Sequence, residues 1–223
     1  MLNGDLLTLD VPDAEHLPGS TAVSVLSLDG HELELSSGPP EALEHYLSMS
    51  GSRLDRQLTL RSGHVLRHGR YGGDAALGHA FSVTLGGHEL FGFTTPATDL
   101  ETLSGALSEV GLEAGADGPV VRPAGSVTWS EYRTHGVAQV VHLADGQGYL
   151  LDVRRTRPGT TAPDQDAAGV AVRGGRLSRS SEQERHAYAV LEADAFVCYG
   201  IPATAQDLDR VATSMAGVLA GLG

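Results

Sequence analysis

Histidine is the residue type best placed to do chemistry in this chain. There are ten, and seven of them, His16, His31, His45, His64, His68, His79 and His88, fall within the first 115 residues. An imidazole titrates near neutral pH and ligates metals, so a metal centre or a general base would be built from this set. His64 and His68 stand at helical spacing, but Gly63, Gly69, Gly72 and Gly73 surround them. That segment reads as a glycine-rich loop, and no metal site is read from it. His79 and His186 differ from the rest because each opens a matching run, His79-Ala80-Phe81-Ser82-Val83 and His186-Ala187-Tyr188-Ala189-Val190. They are the two candidate ligand-binding residues, a symmetric pair facing a shared groove. The plainer alternative is two edge histidines inherited from one ancestral repeat.

Other chemistries lack their reagents. All 15 basic residues are Arg, which removes Schiff-base lysines and the lysine of phosphate loops. No Gly-x-Ser-x-Gly elbow is present, and nothing in the spacing of Ser, His and Asp gathers a triad. Cys198 sits in the apolar run Phe196-Val197-Cys198-Tyr199 and reads as a buried small hydrophobe. The carboxylate pairs Glu41 with Glu44 and Glu182 with Glu184 read as solvated faces, and Gly72-Gly73 and Gly86-Gly87 as turns. No catalytic residue, metal or cofactor is therefore assigned.

The formal charge is -13, with 5 Arg against 16 carboxylates in residues 1–115 and 10 against 12 in residues 116–223. Such a balance argues against nucleic acid and anionic membrane surfaces, which require a positive footprint. Met1-Leu2-Asn3-Gly4-Asp5 lacks the basic start of an export signal, and no apolar run reaches the roughly 18 residues that cross a bilayer. The chain as written is expected to be soluble and cytoplasmic, or extracytoplasmic if a removed signal or anchor preceded it.

Which elements would position the histidines? Residues 22–28 alternate apolar and polar, Asp29-Gly30 is a two-residue turn signal, and 32–35 alternate again, which predicts a β-hairpin. Its counterpart is 137–143, Asp145-Gly146 and 149–153. Pro39-Pro40-Glu41, then Leu43, Tyr46, Leu47 and a stop at Gly51, predict a short helix, whereas 158–163 reads as a loop at the equivalent place. Both halves then resume a strand, 58–63 and 170–175, with apolar, apolar, Arg and Gly in matching places. The His-Ala runs follow, then Pro96-Ala97-Thr98 and Pro202-Ala203-Thr204. Finally come two helical stripes, Leu100, Leu103, Leu107 and Val110 against Leu208, Val211, Met215 and Val218, the second run continuing to Leu222. Thr98 with Glu101 has capping-box spacing, and Thr204 with Asp207 is a weaker version. Residues 10–20 read as a polar connector, and 113–119 as the linker between halves. Val127, Trp129 and Tyr132 suggest the strand that opens the second half, with Trp129 a core anchor.

The expected architecture is α+β: two tandem repeats, 1–115 and 116–223, each an antiparallel β-sheet followed by a covering C-terminal helix, with pseudo-twofold symmetry. The order of elements resembles the β-sheet-plus-helix modules at the extracytoplasmic ends of bacterial anti-sigma regulators and related lipoprotein-carrier-like domains. The residues that carry this likeness are 170–175, 186–190, 196–200 and 204–219. It implies binding of lipids, peptides or partner proteins without catalysis. The reading is thus a non-catalytic module holding a partner protein or an apolar small ligand between related halves, with a homodimer open. Two alternatives stand beside it: a small enzyme using His79, His186 or a carboxylate as general base in that groove, and a secretion-type chaperone whose sheet edges pair with a client strand.

Overall fold

The alternation of 22–28 and 32–35 folds as expected, into two strands paired antiparallel from Ala22 opposite Ser37 to Leu28 opposite His31. In this computed structural model the described residues are 1–17, 19–28, 31–131, 135–156, 169–180 and 187–223. The Asp29-Gly30 turn, Tyr132, the 158–163 loop, Glu182, Glu184 and His186 lie outside them.

In chain order the strands begin with β1 (Leu7–Asp10), β2 (Ala14–His16), β3 (Thr21–Leu28) and β4 (His31–Gly38). Helix α1 (Pro40–Ser50) leads to β5 (Arg56–Thr59), β6 (Val65–Arg70), β7 (His79–Leu85) and β8 (His88–Phe93). Helix α2 (Leu100–Glu109) precedes β9 (Gly111–Gly115), β10 (Gly118–Arg122) and β11 (Val127–Trp129). Then come β12 (Gly136–Leu143), β13 (Gly148–Arg155), β14 (Val170–Val172), β15 (Gly175–Ser180), β16 (Tyr188–Glu192) and β17 (Phe196–Pro202). Helix α3 (Leu208–Met215) and β18 (Leu219–Leu222) complete the order. Antiparallel sheet dominates and the fold is α+β. Among the described residues no helix is long and apolar enough to cross a membrane.

The chain gathers into two compact units, one of Met1–Gly4 with Thr21–His135 and the other of Asp5–Ser20 with Gly136–Gly223. The segment 113–119, expected as a linker, is the turn end of the β9–β10 hairpin, with Gly118 opposite Gly115 at φ 123°. Small glycine-rich stretches serve tight turns as well as they serve linkers. Val127 and Trp129, expected to open the second half, instead pair as β11 with β3 in the first unit. There Trp129 is partly buried against the core.

In the first unit the sheet order is β3-β4-β8-β7-β6-β5, with β11 also paired to β3. Phe81 stands opposite Gly92 and Val83 opposite Leu90, so these residues share one face, and they cluster with the buried Leu103 and Leu107 of α2. Full burial of each such side chain stabilises by about 1.5–3 kcal/mol. The opposite phase of β8 carries Phe91 and Phe93, against which Tyr46 of α1 packs at 5.2 and 6.5 Å between ring centroids. Helix α1 starts at Pro40 and stops at Gly51, whose φ of 64° is left-handed, both as the sequence implies.

Helix α2 is capped one residue later than expected. Asp99, not Thr98, is the N-cap, and its Oδ1 accepts from the Thr102 N–H at 2.8 Å, while Thr98 is buried. That hydrogen bond is the main cause holding the Asp99 carboxyl below the usual carboxylate range. A depressed folded-state pKa contributes stability that is present above the unfolded pKa and lost as pH falls through the folded one. Asp99→Ala is therefore expected to melt below wild type at pH 7, with the gap closing as the pH is lowered through the carboxylate range. Thermal melts of the two proteins at stepped pH check this.

The second unit has the order β12-β13-β17-β16-β15-β14, with β2 also paired to β12 and a separate β1–β18 pair. The polar connector 10–20 thus contains strand β2. The expected strands 58–63 and 170–175 are each interrupted by a turn: β5 ends at Thr59 and β14 at Val172, so the Arg-Gly steps are turns and not strand. In the first of them Gly63 sits at φ 87°. Both leucine-rich stripes do face inward, with Leu103, Leu107, Val110, Val211, Met215 and Val218 all buried. The last run, however, is not helical to Leu222. Helix α3 ends at Met215, the Val218 N–H bonds the Met215 carbonyl, and Leu219–Leu222 pairs with β1. Gly217 and Gly221 weaken the helix there, and a partner strand is on offer.

Candidate functional site

Four strand positions converge around His79. In the register of the first unit Arg56 is opposite His68 and Arg70 is opposite His79. Because His68 and Arg70 are two apart on β6, alternation places Arg56, His68, Arg70 and His79 on one face, beyond the point where Phe81 ends the apolar core. They line a cleft of about 480 Å³ together with Gly51, Arg53, Asp55, Gly69 and Gly73. The two imidazoles lie 6.2 Å apart at 73°. Gly69, on the opposite phase of β6, is obligatory: a Cβ there would collide with the Arg53 carbonyl oxygen. This close approach packs the 53–55 segment against β6.

His68 belongs to strand β6 and is buried, not part of a glycine loop. Desolvation, and then the nearby His79 and Arg56, push its pKa below the ordinary histidine value, with Asp55 opposing. Ion pairs elsewhere engage Arg67 with Glu89, Arg122 with Glu113, Arg155 with Asp5, Arg173 with Asp10, Arg179 with Asp209 and Arg210 with Asp145. Arg53, Arg56 and Arg70 form none among the described residues.

A second cleft, about 670 Å³, lies within the second unit. Gly200 faces α3, since a Cβ there would strike Met215 and Val211. Tyr199 and Ile201 therefore face the other way, as do Asp152, paired with Tyr199, and Val190, its partner on β16. The Tyr188 and Tyr199 rings meet edge to face at 6.0 Å, and with Ile201, Pro202 and Ala203 they form the apolar wall. Burial raises the Tyr199 pKa. At the rim Asp152 Oδ2 accepts from Arg154 Nε at 2.9 Å and Nη2 at 2.7 Å. Beside the cleft Val140, Leu150 and Ile201 are cross-strand neighbours, each exposed.

Of the two histidines read from the sequence, His79 lines the first cleft and His186 lies outside the described residues. The His-Ala runs that suggested their equivalence are out of phase in the sheets. Phe81 faces α2, whereas Tyr188, its match by sequence, faces away from α3. A one-residue offset moves every side chain to the other face. Sequence reasoning passed over Arg53, Arg56, Arg70, Tyr188 and Tyr199 as site residues. The only signal for the tyrosines was their phase, bulky against the small Cys198 and Gly200.

Groups suited to nucleophilic catalysis are placed elsewhere. Ser24 Oγ is 2.7 Å from His135 Nδ1, but Ser24 is fully buried, and the Trp129 and His135 rings meet edge to face with centroids 4.6 Å apart. Burial also pushes the Cys198 thiol up to about 12, in keeping with a small hydrophobe. Among the described residues no group of three or more His, Cys, Asp and Glu forms a metal cluster. No protein-family model, no curated protein and no solved structure matches this chain.

Proposed function

We propose that the protein is a non-catalytic binding protein whose second unit holds a small, largely apolar ligand in the Tyr188–Tyr199 cleft. The cleft itself carries this reading. Its volume falls within the roughly 300–1,000 Å³ of small-molecule sites, its wall is aromatic and aliphatic, and a few polar groups stand at its rim. The Asp152–Arg154 pair and Thr204 would orient a polar end of the ligand while the tyrosines cover its body. Against an enzyme, Ser24 and Cys198 are sealed from any substrate.

We also read the two units as copies of one module, each a six-stranded sheet with a closing helix. Supporting this, numbering each set of six from its own first strand, both run 1-2-6-5-4-3. Both helices bury residues of a Leu/Val/Met stripe. The likeness to sheet-plus-helix modules of anti-sigma regulators points the same way, toward binding. Nucleic acid is a poor fit to the net charge of -13.

The neutral dye Nile red is a direct probe. Its emission is expected to rise on mixing with the protein, and Tyr199→Ala or Ile201→Ser should weaken binding by about tenfold. Equal binding by wild type and both variants would defeat the small-ligand reading, as would a sedimentation result in which Ile201→Ser merely dissociates a dimer.

A further inference from the structure

We propose that the cleft of Arg53, Arg56, His68, Arg70 and His79 in the first unit is an oxyanion site, one that takes the phosphate or carboxylate group of a small molecule. This is independent of the apolar cleft and rests on where the charge lies. The first unit contains seven Arg against fourteen carboxylates, yet three of those seven line one cleft with a single carboxylate, Asp55. In this acidic unit Arg67 and Arg122 each take a carboxylate partner. Arg53, Arg56 and Arg70 line one cleft and form no ion pair among the described residues, so their donors are not engaged by a carboxylate. A guanidinium fork matches the paired oxygens of phosphate or carboxylate, and two or three from different directions enclose one such group.

The backbone positions these groups. Arg56 and Arg70 stand on neighbouring strands in fixed register with His68 and His79, and the Gly69 contact holds the Arg53 segment against β6. The groups facing His68 are His79, Arg56 and Asp55, and the first two favour its neutral form. An anion in the cleft acts on His68 against those two charges, favouring the form of its ring that donates from both nitrogens. His68 is buried while Arg53, Arg56 and Arg70 are exposed, so the charged donors of the cleft are more open to solvent than this imidazole.

Titration calorimetry on the full chain tests this, with inorganic phosphate and citrate as separate probes at constant ionic strength set by sodium chloride. At least one probe is expected to bind, and Arg56→Gln with Arg70→Gln should weaken it by about tenfold or more. Arg61→Gln, an exposed arginine on a turn outside the cleft, should leave it unchanged. Phosphate alone, citrate alone or both binding would fix the class of anion. Heat no greater than that of the chloride control overturns the proposal. So does equal weakening by Arg61→Gln, which would mean only diffuse attraction. Circular dichroism of the double variant establishes that it folds. Since Arg56 and Arg70 are exposed and form no ion pair among the described residues, a fold like that of wild type is expected.

Discussion

Gly200→Ala and Met215→Ala should each destabilise the second unit, and the double variant should lose less than the sum of the two. Gly200 lies on β17 beneath α3, and the place where a Cβ would sit is occupied by Met215 Sδ, with Val211 Cγ1 2.7 Å away. Adding the methyl overpacks the contact, at about 1–3 kcal/mol. Removing the fully buried Met215 side chain leaves a void, at about 2–5 kcal/mol. Put together, the new methyl enters part of the new void, so the coupling should be about 0.5–3 kcal/mol in the favourable direction. Denaturant titrations of wild type, both singles and the double, followed by far-ultraviolet circular dichroism, measure it. Strict additivity would mean that α3 does not seat on Gly200.

Gly69→Ala should be worse and beyond such rescue. The obstacle there is main chain: the Arg53 carbonyl oxygen collides with the added methyl and the carbonyl carbon lies 2.9 Å from it. No rotamer change relieves a backbone clash, so either β6 or the 53–55 segment must move. The expected loss is at or above the top of the range of about 1–3 kcal/mol for overpacking. Shortening the neighbour, as in Arg53→Ala, should not restore it, because the offending atoms remain. The same variant should lose the anion site along with the wall that defines it. A Gly69→Ala protein as stable as wild type would show that the segment carrying Arg53 is not held against the strand.

What the sequence disclosed was whatever is written in local period and punctuation. The hairpins at 22–35 and 137–153, the helix from Pro40 to the left-handed Gly51, and the inward stripes of α2 and α3 follow from spacing and from the φ demands of Pro and Gly. Features joined over long range were not legible in this way. Residues 219–222 had the composition to continue a helix, and only the availability of β1 made them a strand. The 113–119 stretch had linker chemistry and became a turn because apolar Leu112 and Val121 on either side could pair. Both clefts were also invisible, since Arg53, Arg70 and His79 or Asp152, Tyr188 and Tyr199 meet only after strands distant in sequence are laid side by side. The mistaken equivalence of the His-Ala runs shows how a five-residue match can be correct in letters and wrong in phase.

The pairing of β1 with β18 ties Leu7 to Leu222, residues far apart in the order of synthesis. The second unit consequently cannot complete itself until residues 219–222 have been made. Residues 7–10 wait, as an unpaired edge, for residues 11–218 to be made before their partner follows. A chain cut short before residue 219 would retain α3 yet leave that edge open to other nascent or misfolded strands, so that the truncation announces itself by aggregating.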